Sequence, residues 1–186
     1  PTYEDRWQVI ADEAQARLDQ RQAQIAPAEL LDYMNDSNIK VIPIDVREES
    51  DYNLFHLAGA VHVPLTEVLE KARELQLELA NTLFVTISND EVAATEAWKI
   101  LKAESVQNLY ILEGGINGWL DTYAHGAFGA QDHIADHAPD QLAYRFKAAT
   151  GARHPAADPN PHLLDLSYEP KVILEVKRAP TGGGCG

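Results

Sequence analysis

Sulfur is nearly absent from this chain of 186 residues, which holds one methionine and one cysteine, Cys185. A single thiol excludes an internal disulfide framework and leaves the redox compartment open. Basic residues are scarce as well. Fifteen Lys and Arg face 29 Asp and Glu, a net charge of −14, which repels phosphate backbones and anionic membrane surfaces and argues against nucleic-acid binding. That charge is read as a well-solvated acidic surface rather than a dedicated patch for a basic partner. No run approaches the roughly eighteen apolar residues that would cross a bilayer, and no signal-peptide pattern opens the sequence. The chain as given is therefore expected to be soluble, with cytoplasm and periplasm undistinguished. Because it opens on Pro1, an anchor or signal upstream would not be visible in it.

What is present is ample for a core. The hydrophobic content is 45%, and the length suits one domain with additions. Residues 1–26 read as an amphipathic N-terminal helix, with Trp7, Ile10, Ala14 and Leu18 at helical spacing. Its apolar stripe is expected to pack on its own domain. Pro27 suits the first turn of a helix through Tyr33, and Asn35-Asp36-Ser37-Asn38 is a turn cluster. Beyond it, apolar strand patterns near 40–45, 83–87 and 108–112 alternate with helical patterns near 66–75, 91–104 and 115–123. This alternation predicts an α/β fold with a parallel sheet covered by helices on both faces. Function in such sheets sits at the carboxyl ends of the strands.

The strand Leu83-Phe84-Val85-Thr86-Ile87 ends in the loop Ser88-Asn89-Asp90-Glu91-Val92-Ala93, and a helix follows with Ala94, Ala97, Trp98 and Leu101 on one face. Backbone N–H groups are expected to converge there, at the positive end of the helix. Upstream, Val41-Ile42-Pro43-Ile44 runs into Asp45-Val46-Arg47, and His56-Leu57-Ala58-Gly59-Ala60 follows. Downstream, Leu109-Tyr110-Ile111-Leu112-Glu113-Gly114-Gly115-Ile116-Asn117-Gly118-Trp119 is a strand, a glycine turn and the start of a helix.

In order, spacing and residue type these blocks resemble the rhodanese-homology domain over residues 27–123. The resemblance implies a rhodanese-like parallel β-sheet flanked by helices on both faces, here with an N-terminal helix (1–26) and a C-terminal extension (124–186). It also implies an active loop whose cysteine carries sulfane sulfur as a persulfide. Counting back from Gly114-Gly115 by the family's spacing places that cysteine position on Ser88. Asp45 and Arg47 match the family's Asp-x-Arg, whose implied role is an ion pair supporting the loop. His56 matches a recurring family histidine, expected to be packed and satisfied.

Sulfur transfer needs a soft nucleophile, a low thiol pKa and a positive local field. A serine hydroxyl carries no persulfide. The loop 88–93 contains no Lys or Arg, and Asp90 and Glu91 stand where an anionic donor would enter. The replacement residues do suit a capped helix, since Ser88-x-x-Glu91 has capping-box spacing. The expectation is a degenerate loop at Ser88, Asn89, Asp90, Glu91, Val92 and Ala93 with no catalytic residue. The module would serve in protein interaction, scaffolding or regulation, with another protein as its partner and no cofactor. A serine nucleophile would need a base in reach. The nearest candidates by motif are His56 and His62, and the family pattern places neither in that role.

The extension holds weaker signals. Asp132-His133-Ile134-Ala135-Asp136-His137 spaces His133 and His137 at i and i+4, a chelating spacing. No complete ligand set accompanies the pair, so no metal is expected. Residues 139–149 suit a short helix, and the proline-rich 154–161 should lie extended. Lys171-Val172-Ile173-Leu174-Glu175-Val176-Lys177 reads as a strand able to add to a sheet edge. Cys185 follows three glycines, a flexible tether that suits a persulfide carrier or a partner-linking thiol. A sulfur-handling protein using Cys185 is thus the alternative function.

Overall fold

A computed structural model describes residues 2–123 and 167–175. His133, His137, Cys185 and the expected elements at 139–149 and 154–161 lie outside the described residues.

Five strands form one parallel sheet: β1 (Gln24–Ile25), β2 (Lys40–Asp45), β3 (Val61–His62), β4 (Thr82–Ile87) and β5 (Leu109–Leu112), in the order β1-β5-β4-β2-β3. The central β4 is buried at every position, as an unbroken apolar run in a sheet covered on both faces should be. Among the described residues six α-helices flank the sheet: α1 (Tyr3–Asp19), α2 (Pro27–Met34), α3 (Glu49–Leu54), α4 (Val68–Leu75), α5 (Val92–Ala103) and α6 (Gly115–Tyr123). Alternate strand residues point to opposite faces. Leu83, Val85, Ile87, Tyr110 and Leu112 join Leu30 and Leu31 of α2 and Ile116, Trp119 and Leu120 of α6 in one core. Ile42, Ile44, Phe84, Leu109 and Ile111 join Ala14 and Leu18 of α1, Val68 and Ala72 of α4, and Trp98 and Leu101 of α5 in the other.

The N-terminal helix packs on its own domain. Ala14 and Leu18 are buried, Arg6 forms an ion pair with Glu104, and the Lys99 ammonium lies 5.9 Å from the Trp7 ring centre. Its start is fixed by a capping box that the sequence reading passed over. Thr2 Oγ1 accepts from the Asp5 N–H at 3.2 Å, and the Asp5 carboxylate accepts from the Thr2 N–H at 2.8 Å. The helix ends at Asp19, short of the expected reach. Arg21 then turns at φ 56°, and Gln24–Ile25 pairs with Ile111–Leu112 as a sheet-edge strand. The first 26 residues therefore contribute a strand to the sheet.

The C-terminal segment departs from expectation. Lys171–Glu175 takes no sheet pairing, although its side chains alternate as a strand's would, with Ile173 exposed and Val172 and Leu174 packed on the α2/α6 core. The reason lies in its hydrogen bonds. Its N–H groups are met by side chains of Glu29, Tyr110 and Asn108, not by a neighbouring strand.

Candidate functional site

The loop from Ser88 lies between the end of β4 and the start of α5, at the carboxyl edge of the sheet. Ser88 is fully buried. Its Oγ accepts from the Ala94 N–H at 3.0 Å and its hydroxyl donates to the Asp90 carbonyl at 3.0 Å. The side chain thus satisfies a first-turn amide of α5 and closes the loop on itself. The expected capping box is not what forms. Helix α5 has Glu91 at its N-cap with no side-chain cap, and Asp90 Oδ1 accepts from the Val92 N–H at 2.8 Å. Ser88 does cap the helix, but from three residues before the N-cap, because the tight loop carries its Oγ back to the third helical residue.

Glu91 is drawn away instead. Arg21, just beyond α1, donates from Nη1 to Oε1 at 2.7 Å and from Nη2 to Oε2 at 2.9 Å. The Gly114 N–H donates to the same carboxylate at 3.0 Å. This bidentate pairing holds the Arg21 guanidinium above its ordinary pKa, the hydrogen bond to Glu91 being the largest cause. Glu91 is therefore ion-paired rather than the bare carboxylate its sequence context suggests, and the same guanidinium also reaches Glu113 at 3.5 Å. The cation that does this is missing from the loop sequence because it lies 70 residues earlier.

On its inner side the loop rests on the glycine turn. Ile116 N–H donates to Ser88 O at 2.9 Å, and Asn117 N–H donates to Asn89 O at 3.0 Å, so the loop carbonyls face the N-terminus of α6. Gly115 lies at their focus with φ +59°. A Cβ there would meet Asp90 O at 2.1 Å, Ser88 O at 2.5 Å and Asn89 O at 2.7 Å. Only glycine fits that approach.

Beneath the loop runs a buried polar chain. Arg47 binds Asp45 through Nε to Oδ1 at 2.9 Å and Nη2 to Oδ2 at 2.7 Å, with both side chains almost wholly enclosed. The same guanidinium donates to Phe55 O at 2.5 Å and to Asn89 Oδ1 at 3.2 Å. Asn89 Nδ2 in turn donates to Asp51 Oδ2 at 2.9 Å, while Asp51 Oδ1 is buried without a hydrogen bond. The chain thus holds two carboxylates, Asp45 and Asp51, to one guanidinium, Arg47. Asp45 and Arg47 are paired beneath the loop, and Arg47 reaches it through Asn89. Asn89, one of the loop positions the sequence singles out, links them to Asp51, to which nothing in the local sequence pattern pointed.

His56 and His62 sandwich Tyr52, with ring centres 4.0 Å and 4.5 Å away and interplanar angles of 7° and 15°. His56 Nδ1 donates to Tyr52 O at 2.7 Å, and His62 Nε2 donates to Arg47 O at 2.8 Å. Both rings are engaged in packing and backbone bonds, and neither bonds Ser88. A base–serine pair is not assembled.

Chemically, the arrangement differs from an anion cradle. The two arginines that reach the loop, Arg21 and Arg47, are each already paired with carboxylates. Ser88 itself is enclosed and internally bonded.

A family model described as Rhodanese-like domain matches residues 26–122. No curated protein matches the chain. Among solved structures, the rhodanese-like domain of an Anabaena sp. protein is 22% identical, covering 56% of this chain and 75% of that one with a TM-score of 0.46. A rhodanese-like domain protein from Staphylococcus aureus is 16% identical over 52% of this chain and 89% of that one, with a TM-score of 0.44. A thiosulfate sulfurtransferase from Pseudomonas aeruginosa is 18% identical over 57% of this chain and 20% of that one, with a TM-score of 0.49.

Proposed function

The chain belongs to the rhodanese-like domain family, and from that premise we propose that it is a non-catalytic member that acts through protein interaction, as a scaffold or regulatory module. One observation carries the reading: Ser88, at the position where the family's sulfur carrier would stand, is fully buried with its hydroxyl committed to Ala94 and Asp90. An oxygen nucleophile forms no persulfide, and a buried, internally bonded one meets no substrate. The charge around it favours the same reading. Both guanidinium groups near the loop, Arg21 and Arg47, are already paired with carboxylates, so neither is offered to an incoming anion.

Thiosulfate:cyanide sulfur transfer by the purified full chain tests this directly. The expected result is no thiocyanate formation above the uncatalysed background, and clear turnover would overturn the reading. Running the Cys185→Ser chain in parallel assigns any residual turnover, because Cys185 is the only thiol. Turnover lost in that variant would establish the tail thiol as a sulfur carrier.

A further inference from the structure

We propose that Glu29, Tyr110 and Asn108 form a peptide-recognition groove that the chain's own Lys171–Glu175 segment occupies, and that the groove can receive an extended segment of another protein in its place. The segment is held almost entirely by its main chain. Glu29, only 1% exposed, accepts the Lys171 N–H at 3.0 and 3.1 Å and the Val172 N–H at 2.8 Å. The Tyr110 hydroxyl accepts the Ile173 N–H at 2.9 Å. Asn108 clasps Glu175 from both sides, accepting its N–H at Oδ1 at 2.7 Å and donating from Nδ2 to its carbonyl at 3.4 Å.

Four N–H groups of one extended strand are thus read by side chains from α2 and the β5 strand region. Within Lys171–Glu175 the side chains that pack on the core are those of Val172 and Leu174, while Ile173 points outward with 77% exposure. Main-chain bonds for affinity with pockets for alternate side chains for selectivity is the logic of extended-peptide recognition. Glu29 has no salt bridge among the described residues, and the amides of the seated segment are the donors its carboxylate meets.

The partner's chemistry follows. It is an extended segment with apolar residues at alternate positions and no proline at the four donor positions. The tethered segment competes at high effective concentration, so an outside segment binds well only where the tethered one is weakened or outmatched. This deepens the interaction reading above and rests on it for its biological use. The groove shares no residue with the Ser88 loop, so failure of the groove leaves the sulfur-transfer result unaffected.

The test uses a labelled peptide with the sequence of residues 167–175 and the full chain carrying Val172→Asp and Leu174→Asp, which unseat the tethered copy but leave the groove intact. This variant should bind the peptide on the order of tenfold more tightly than the unaltered chain. Adding Glu29→Gln, or placing proline at the Val172 position of the peptide, should remove that gain. No gain, or a gain indifferent to Glu29→Gln and to the proline peptide, overturns the proposal. Should the double aspartate variant not fold, hydrogen exchange on the unaltered chain decides. The amides of Val172, Ile173 and Glu175 should then exchange through local opening, faster than those of β4. Exchange only through global unfolding overturns the proposal.

Discussion

Ser88 is a structural residue in this loop, and its removal should show as lost stability. Replacing it with alanine strands the buried Ala94 N–H without its acceptor, at a cost of about 1–2 kcal/mol. Urea unfolding of Ser88→Ala measures this, and an unchanged midpoint would refute the capping role. Gly115→Ala is the harsher change. Its Cβ would enter the focus of three loop carbonyls from a left-handed backbone, so a loss of about 2–4 kcal/mol is expected in the same measurement. Tolerance of this alanine would mean that the glycine turn does not brace the loop as described. At this scale the sequence told which residues mattered but not always what they touch. Ser88, Asp45, Arg47 and Gly115 stand out through the blocks that carry the rhodanese resemblance. The role of Glu91 was misread, because its partners Arg21 and Gly114 are distant in the chain and only the folded sheet brings them together.

Between elements, the same limit recurs. Long apolar runs and helical periodicity made β2, β4, β5 and α5 legible, since burial on one or two faces writes itself into consecutive residues. The two-residue strands β1 and β3 have no such signature. The 171–175 segment has the alternation of a strand, yet no pattern in it reveals that its amides go to Glu29, 142 or 143 residues away, rather than to a ladder. Its anchor predicts a pH effect. The Tyr168 hydroxyl donates to Asp32 Oδ2 at 2.5 Å, and this bond to a carboxylate, ahead of burial, raises its pKa to about 12. Tyr123 is raised to about 12 chiefly by burial, with Asp32 adding to it. Both hold their protons in the folded chain after the unfolded chain has released its own near 10. The stability they contribute is therefore complete below about pH 10 and lost as pH rises through about 12. Phenolate absorbance should show tyrosines that titrate late, toward about 12, one of them removed in Tyr168→Phe, while the melting temperature falls across that window. Tyrosines titrating together near 10 would contradict the pairing with Asp32.

For the whole molecule, the fold and the loop lead to different conclusions about activity. The parallel sheet, its flanking helices and the placement of a loop at the carboxyl end of β4 belong to a rhodanese-like domain, and all were readable from the order of the blocks. On the reading proposed above, the loop's contents depart from that chemistry at two points at once: a buried, internally bonded serine and arginines already paired. No helix among the described residues is long and apolar enough to cross a membrane. The central claim is that this departure is coordinated, so that restoring the nucleophile alone restores nothing. Mass spectrometry of the Ser88→Cys, Cys185→Ser chain after incubation with thiosulfate tests it most directly, because the introduced thiol is then the only one present. The account predicts no gain of one sulfur atom at position 88 unless Asp90 and Glu91 are also replaced, at least one of them by arginine. Persulfide loading with both carboxylates still in place would contradict it.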